Sequence, residues 1–396
     1  WIRLGWLIGY RGKDFERAEP ILAAAEAAVL RAGEPDALRG DLLNTRAAIL
    51  YTKNDNEGAL ALFVESLSAR ERALPPGHPD IARSLTNLGS VARSLGRFDQ
   101  SLRYAQRALD LKIASLGEGH PSTATSRLGL AVTHLRQGRV DRAIELLRAA
   151  LAVQRDALSE HHPEVAKTVN ELGKALLRSG RPEQAAAHHR EAIAIAAATL
   201  GAEHAVVGKY NNELGLALRA LEQHEDALAA FRRTLAIQRA ALGEDHFEVA
   251  VALVNQGQTL ALAGQCAEAM TPLGRALTIL EAKKPAFHAA FPLTAMGMCH
   301  LERGQRGAAV LVLERALVLR RDAGIDPALV GDTEFVLARA LWRAGSPGER
   351  RRALTLARSA ADRFRSGRKT DQLTEVQDWL SQRGAVQPEP PAPEGQ

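Results

Sequence analysis

The chain has 396 residues and a formal net charge of +5 at pH 7, with aromatic side chains at only 4%. Ala, Leu, Arg and Glu dominate instead, the usage of helices packed through small and aliphatic side chains, so an all-α protein is expected. No apolar run approaches the roughly 20 residues of a membrane span, no signal-peptide pattern is present, and Cys266 and Cys299 lack metal-ligand or disulfide-framework spacing, so a soluble protein of the reducing cytoplasm is expected.

Residues 1 to 35, opening "WIRLGWLIGY", read as one repeat already in register at Trp1 and expected to continue from an upstream segment. Residues 36 to 284 form the body, six units of a 42-residue type. Their most legible phrase, "SLGEGHPSTA", recurs as "LSEHHPEVAK", "TLGAEHAVVG" and "ALGEDHFEVA", with His120, His162, His204 and His246 spaced by 42 residues and His78 one period earlier. A fixed period of this size marks one supersecondary unit stacked on the next. After each His a first helix carries a small residue near its middle, at Gly5, Ala47, Gly89, Ala131, Gly173, Gly215 and Gly257. It stops at Gly12, Gly96, Gly138, Gly180 and Gly264, with Asn54 substituting once and Glu222 departing; Gly and Asn tolerate left-handed backbone. The second helix has small residues at Ala59, Ser101, Ala143, Ala185, Ala227 and Ala269 and apolar ones at Leu67, Leu109, Leu151, Ile193 and Leu235, recurring at helical spacing on one face. Gly117, Gly201 and Gly243 then stop it. Each His therefore sits between a helix stop and a helix start, a place that predicts a local structural role, with Pro79, Pro121 and Pro163 suited to a first helical turn.

Residues 285 to 326 form a shortened repeat, because Gly304, Ala309 and Ala316 align with the preceding unit only at a spacing of 40. Residues 327 to 383 hold a degenerate repeat and a closing helix, "LTEVQDWLSQR", whose polar outer face is expected to shield the last apolar surface. The tail in 384 to 396, "AVQPEPPAPEGQ", is Pro-rich and expected to be disordered. The predicted fold is an all-α, right-handed superhelical solenoid of about eight or nine antiparallel helix pairs.

The stretches "HPDIARSLTNLGSVARSLGRFDQSLRYAQRALDLKIASLG" and "HPEVAKTVNELGKALLRSGRPEQAAAHHREAIAIAAATLG" resemble the tetratricopeptide repeat in its longer form of about 42 residues, as in kinesin light chains. The resemblance implies that first helices line a concave face that holds extended or helical peptides. It also implies that an Asn-rich segment of the first helix touches ligand backbone. Here "LTNLG" supplies Asn87, "VNELG" Asn170, "NNELG" Asn211 and Asn212, and "LVNQG" Asn255, while the third unit departs with "SRLGLA". A primary amide both donates and accepts, so it can pair with any peptide backbone; the alternative is that these amides cap or bridge neighbouring repeats. The basic side chains of the same helices, Arg83, Arg127, Arg136, Lys167, Arg178 and Lys209, point to an acidic or phosphorylated protein ligand, or are simply solvated.

A search for chemistry finds no P-loop, no "HRD" or "DFG", no "HExxH" and no Gly-x-Ser-x-Gly elbow. No catalytic residue, cofactor or metal is therefore assigned. Equivalent histidines of stacked repeats lie roughly 10 Å apart, too far to share a metal. In the doublet His188 and His189 one ring is expected to be solvated and the other partly buried, and both cysteines are expected to be packing residues. Between 339 and 369 arginines crowd, at Arg339, Arg343, Arg350, Arg351, Arg352, Arg358, Arg363, Arg365 and Arg368, together with Lys369. Without interleaved aromatics this reads as a soluble basic cap rather than a nucleic-acid or membrane surface. The Ala- and Arg-rich wording of the repeats resembles the C-terminal region of tetratricopeptide-containing bacterial serine/threonine protein kinases of the myxobacterial type, which implies a sensor or substrate-docking module. The alternatives are a free-standing adaptor similar to a kinesin light chain and a regulatory subunit that clamps a partner enzyme.

Overall fold

The computed structural model describes residues 1–283, 286–321, 325–367 and 369–383, all helices, turns and loops without a strand. The expected disordered tail lies outside the described residues, as does Arg368. The chain divides into two compact units, Trp1–Ala202 and Glu203–Gln396. Unit 1 opens with α1 (Ile2–Gly5), which runs on as a π-helical turn (Trp6–Arg11), and α2 (Phe15–Arg31). It continues with the pairs α3 (Asp36–Thr52) and α4 (Asn56–Ala73), α5 (Pro79–Ser94) and α6 (Phe98–Leu116), α7 (Pro121–Arg136) and α8 (Val140–Ala157), and α9 (Pro163–Arg178) and α10 (Pro182–Leu200). Unit 2 pairs α11 (Ala205–Ala220) with α12 (His224–Leu242) and α13 (Phe247–Leu262) with α14 (Cys266–Glu281). A 3-10 turn (Ala286–Ala289) leads to α15 (Ala290–Glu302) and α16 (Arg306–Arg321), then α17 (Pro327–Trp342), α18 (Pro347–Ser366) and α19 (Thr370–Ser381). Each unit is a solenoid of antiparallel helix pairs, every pair packing on the next.

The recurrent histidine explains how each junction closes. Nδ1 of His78, His120, His162, His204 and His246 accepts the backbone N–H two residues on, at 3.2, 3.1, 3.1, 3.2 and 3.1 Å. The ring thus satisfies one of the N–H groups that every helix start leaves unpaired. Upstream, Gly117, Gly201 and Gly243 end the preceding helices at φ 85, 94 and 87°. Where the unit shortens, the 3-10 turn takes over from the histidine cap, and α17 and α18 start on Asp326 and on a Ser346–Glu349 capping box.

Left-handed residues end the first helices at Asn54, Gly96, Gly138, Gly180, Glu222 and Gly264. Gly12 corrects the pattern: it stays right-handed at φ −80°, and Lys13 turns left-handed at 54°. The π-turn is the cause, since its Gly12 N–H bonds Leu7 O five residues back and so inserts one extra residue into the helix.

The mid-helix small residues are needed to different degrees. A Cβ at Gly173 would stand 2.7 Å from the buried ring of His189, and one at Gly215 2.6 Å from Phe231, whereas at Gly89, which faces Ala105, nothing lies nearer than 3.4 Å. At the end of unit 2, α19 buries Val376 and Leu380, and Trp379 meets Phe335 and Trp342 edge-on at 5.9 and 5.7 Å.

Candidate functional site: grooves along the first helices

In unit 1, the N-terminal segment, α3 and α5 enclose a groove of ≈ 710 Å³ that Asn44, Asn87, Arg83, Asp41, Asp80 and Trp6 help to line. Asn87 Nδ2 donates to Asn44 Oδ1 at 3.0 Å, tying the two helices together. In unit 2, α13, α15 and α17 wall a more apolar groove of ≈ 760 Å³ that includes Asn255, whose Nδ2 donates to Asn212 Oδ1 at 2.8 Å. Asn212 faces a smaller adjoining hollow with Lys209. Bridging between repeats is therefore real in both units, yet in each pair the Oδ1 of one amide and the Nδ2 of the other carry no hydrogen bond among the described residues.

Asn170 is different. It is 6% exposed and its Oδ1 bonds Nδ1 of His189 at 2.9 Å, so it serves the interior of the α9–α10 pair. Burial, with Lys174 and His188 adding to it, holds the His189 ring down to about 3, hence neutral. The doublet thus resolves into a buried His189 and a half-buried His188 that faces Glu191 at 3.4 Å. Asn211 donates to Val207 O of its own helix at 2.9 Å.

The basic candidates carry partners. Arg83 lies 3.0 Å from Asp80 and 3.8 Å from Asp41, Lys167 3.7 Å from Glu164 and Lys209 3.4 Å from Glu248. Arg127 donates to Glu118 O at 3.1 Å and Arg178 to Leu135 O at 2.8 Å. Exposed Arg136 lines a separate depression with Tyr51 and Arg93. The C-terminal arginines are similarly engaged: Arg363 with Glu334 at 3.0 Å, Arg365 with Asp362 at 2.6 Å, Arg339 with Glu375 at 3.8 Å and Arg350 over Trp342 at 5.6 Å. Partnered guanidinium groups make a weaker phosphate-binding surface than the sequence run suggests.

A polar row on the second helices escaped the sequence reading. Arg70, 1% exposed, donates to Asp41 and Ser84, both at 2.6 Å, and to Asp80 O at 3.2 Å. Lys112 donates to Ser122 O at 3.3 Å, Gln238 to Ala205 O at 3.1 Å, and Arg320, 3% exposed, to Thr333 Oγ1 at 2.6 Å and to Leu329 O. Desolvation lowers Lys112 and brings Arg320 down to about 10. The 42-residue spacing of Arg70, Lys112 and Gln154 was the available signal. Cys266 donates its thiol to Glu302 at 3.0 Å, and burial pushes both thiols up, away from the reactive thiolate.

Among the described residues no helix is long and apolar enough to cross a membrane, and no cluster of three or more His, Cys, Asp or Glu could hold a metal ion.

A family model described as "Tetratricopeptide repeat" matches residues 38–114, 80–156, 123–198 and 207–282. No curated protein matches the sequence. Among solved structures, the apo form of the quorum sensor NprR from B. thuringiensis is similar with a TM-score of 0.66 at 14% identity, over 91% of this chain and 96% of that one. The Rap protein complexed with Competence and Sporulation Factor gives 0.59 at 13% identity, over 96% of each chain. Nearly identical TPR-like repeats named for a Podosopora anserina kinesin light chain give 0.45 at 25% identity, over 52% of this chain and 97% of that one. At such identities the likeness to NprR and Rap is one of fold.

Proposed function

The chain belongs to the tetratricopeptide repeat family and is a protein-binding scaffold, and we propose that its ligands are extended or helical protein segments lying along the first helices. One observation carries this reading: the amide pairs Asn44–Asn87, which lines one groove, and Asn212–Asn255, which lines two adjoining hollows, each keep a carbonyl and an amino group without a hydrogen bond among the described residues. That combination suits the alternating C=O and N–H of a peptide main chain, whatever its side chains. In unit 1 the exposed Arg83, Lys167 and Arg136 support an acidic or phosphorylated segment, although such a ligand has to displace the carboxylates already beside Arg83 and Lys167.

The role follows as a cytoplasmic docking or sensor region of a bacterial signalling protein kinase. Support comes from the Ala- and Arg-rich wording of the repeats and from a fold that supplies binding surfaces rather than chemistry. An upstream coding segment that carries "HRD" and "DFG" supports the kinase link; one lacking both overturns it. Binding itself is tested by affinity capture from lysate of the source organism with wild type and an Asn87→Ala, Asn212→Ala, Asn255→Ala variant whose helicity is intact. Each lost hydrogen bond to the ligand costs about 0.5 to 1.5 kcal/mol, so a partner held in the grooves disappears from the variant. Equal capture by both proteins refutes the groove reading.

A further inference from the structure

The groove of unit 2 is chemically unlike that of unit 1. Of the 9 phenylalanines in the chain, Phe247, Phe291 and Phe335 come from three successive first helices to one groove wall, with Val254 and Met298 between them. Asp332 lies on the same wall, on α17. Its carboxylate makes no ion pair and no hydrogen bond among the described residues. The neighbouring guanidinium of Arg320 gives one nitrogen to both Leu329 O and Thr333 Oγ1, keeps its buried Nε without a partner among the described residues, and stands 4.9 Å from the Phe291 ring. Four charges surround the carboxylate: Arg320 and Lys369 favour its ionised form, Asp326 and Glu375 oppose it, and burial outweighs them all, lifting it to about 6.

A carboxylate without a hydrogen bond or ion pair, in an aromatic groove whose cations Arg219, Arg320 and Arg339 already hold Gln258, Thr333 and Glu375, is a poor neighbour for an acidic ligand. It suits a cation that brings an apolar stem, because the methylenes of Lys or Arg lie on aromatic faces while the charged head reaches the carboxylate. Three adjacent first helices span roughly 20 Å at about 10 Å per step, the reach of an extended segment of about six residues. Resting on the peptide-binding reading above, we propose that this groove takes an extended protein segment whose apolar side chains lie on Phe247, Phe291 and Phe335 and whose Lys or Arg side chain pairs with Asp332.

The test uses the full chain and fluorescein-labelled hexapeptide pools of Leu, Phe and Ala carrying one Lys, Gln, Glu or phosphoserine, read by fluorescence polarisation. The Lys pool is expected to bind about tenfold tighter than the Gln pool, the equivalent of one desolvated charge pair, with the Glu and phosphoserine pools weaker still. Asp332→Asn should bring the Lys and Gln pools within about twofold, and so should lowering the pH of wild type from about 7.5 to about 5, which protonates Asp332; the same pH step on Asp332→Asn is the control for His288 and Glu375, which line the same groove. Met298→Lys, which sets a competing ammonium on the groove wall, should weaken the Lys pool selectively and keeps the test open if Asp332→Asn misfolds. Tighter binding of the Glu or phosphoserine pool, or a Lys preference that survives Asp332→Asn, overturns the proposal and leaves peptide binding standing. If no pool binds and the asparagine variant described above captures the same partners as wild type, both readings fail.

Discussion

Acidification should strike the α9–α10 pair first, through His189. In the folded chain the ring is fully buried, bonded through Nδ1 to Asn170 with Nε2 unpartnered among the described residues, and held down to about 3; unfolded, it titrates near 6.5. The folded value is the lower one, so its stabilising contribution is complete above about 6.5 and is lost as pH falls from there toward 3. By pH 5 only the unfolded ring is protonated, which costs about 2 kcal/mol relative to pH 7. The neighbouring repeats supply the control: the residue 42 positions after His189 is Phe231, and the residue 42 before Asn170 is Leu128. An Asn170→Leu, His189→Phe variant removes the titrating ring and its partner together. Native-state hydrogen exchange of amides in α9 and α10 should lose about 2 kcal/mol of opening free energy between pH 7 and 5 in wild type and little in the variant. Asp332, lifted to about 6, takes up its proton in the same range with the opposite sign and favours the fold, but it is common to both proteins and lies in unit 2. Equal acid losses in α9 and α10 of wild type and variant would refute this assignment.

Two more perturbations separate local causes. Gly215→Ala forces a methyl within 2.6 Å of Phe231 and should cost about 1 to 3 kcal/mol in urea unfolding. Gly89→Ala has 3.4 Å to its nearest neighbour and should gain about 0.5 to 1 kcal/mol; the same sign for both would show that packing against the facing side chain is not what selects glycine. His120→Ala, which strands the Ser122 N–H, should cost about 0.5 to 2 kcal/mol and His120→Asn much less, read from the same denaturation curves.

Much of the architecture was legible because a repeat writes its local rules many times. Helix starts at His120 or His246 and stops at Gly96 or Gly180 depend on atoms within a few residues, so each copy carries the full signal. Gly12 misled because the π-turn ahead of it shifts the left-handed position by one, and nothing in "WIRLGWLIGY" marks that turn. Asn170 misled because its surroundings are set by His189 on the facing helix, a pairing that occurs in one unit alone and so has no period. The groove of unit 2 stayed hidden for a related reason: Phe247, Phe291 and Phe335 are 44 residues apart, off the 42-residue register, and aligned repeats never place them in one column. The amide pairs were half legible, since Asn87, Asn212 and Asn255 stood out by composition while Asn44 did not, and each pair joins residues 43 apart on successive first helices.

The histidine cap also bears on how such a gene lengthens. Each cap is closed by a ring and an amide two residues apart, so a cut at one histidine and a join at another leaves the junction chemistry whole. The longer tie from Arg70 reaches ten and fourteen residues onward, to Asp80 O and the Ser84 hydroxyl, across the seam. Unequal crossing-over at the histidines therefore changes copy number at small local expense, and what has to be matched anew is the set of side chains that reach from one repeat to the next, the Arg70 tie and the Asn44–Asn87 bridge among them. That divides the sequence into a freely duplicated grammar and a fitted vocabulary, with Arg70, Lys112 and Gln238 on the fitted side.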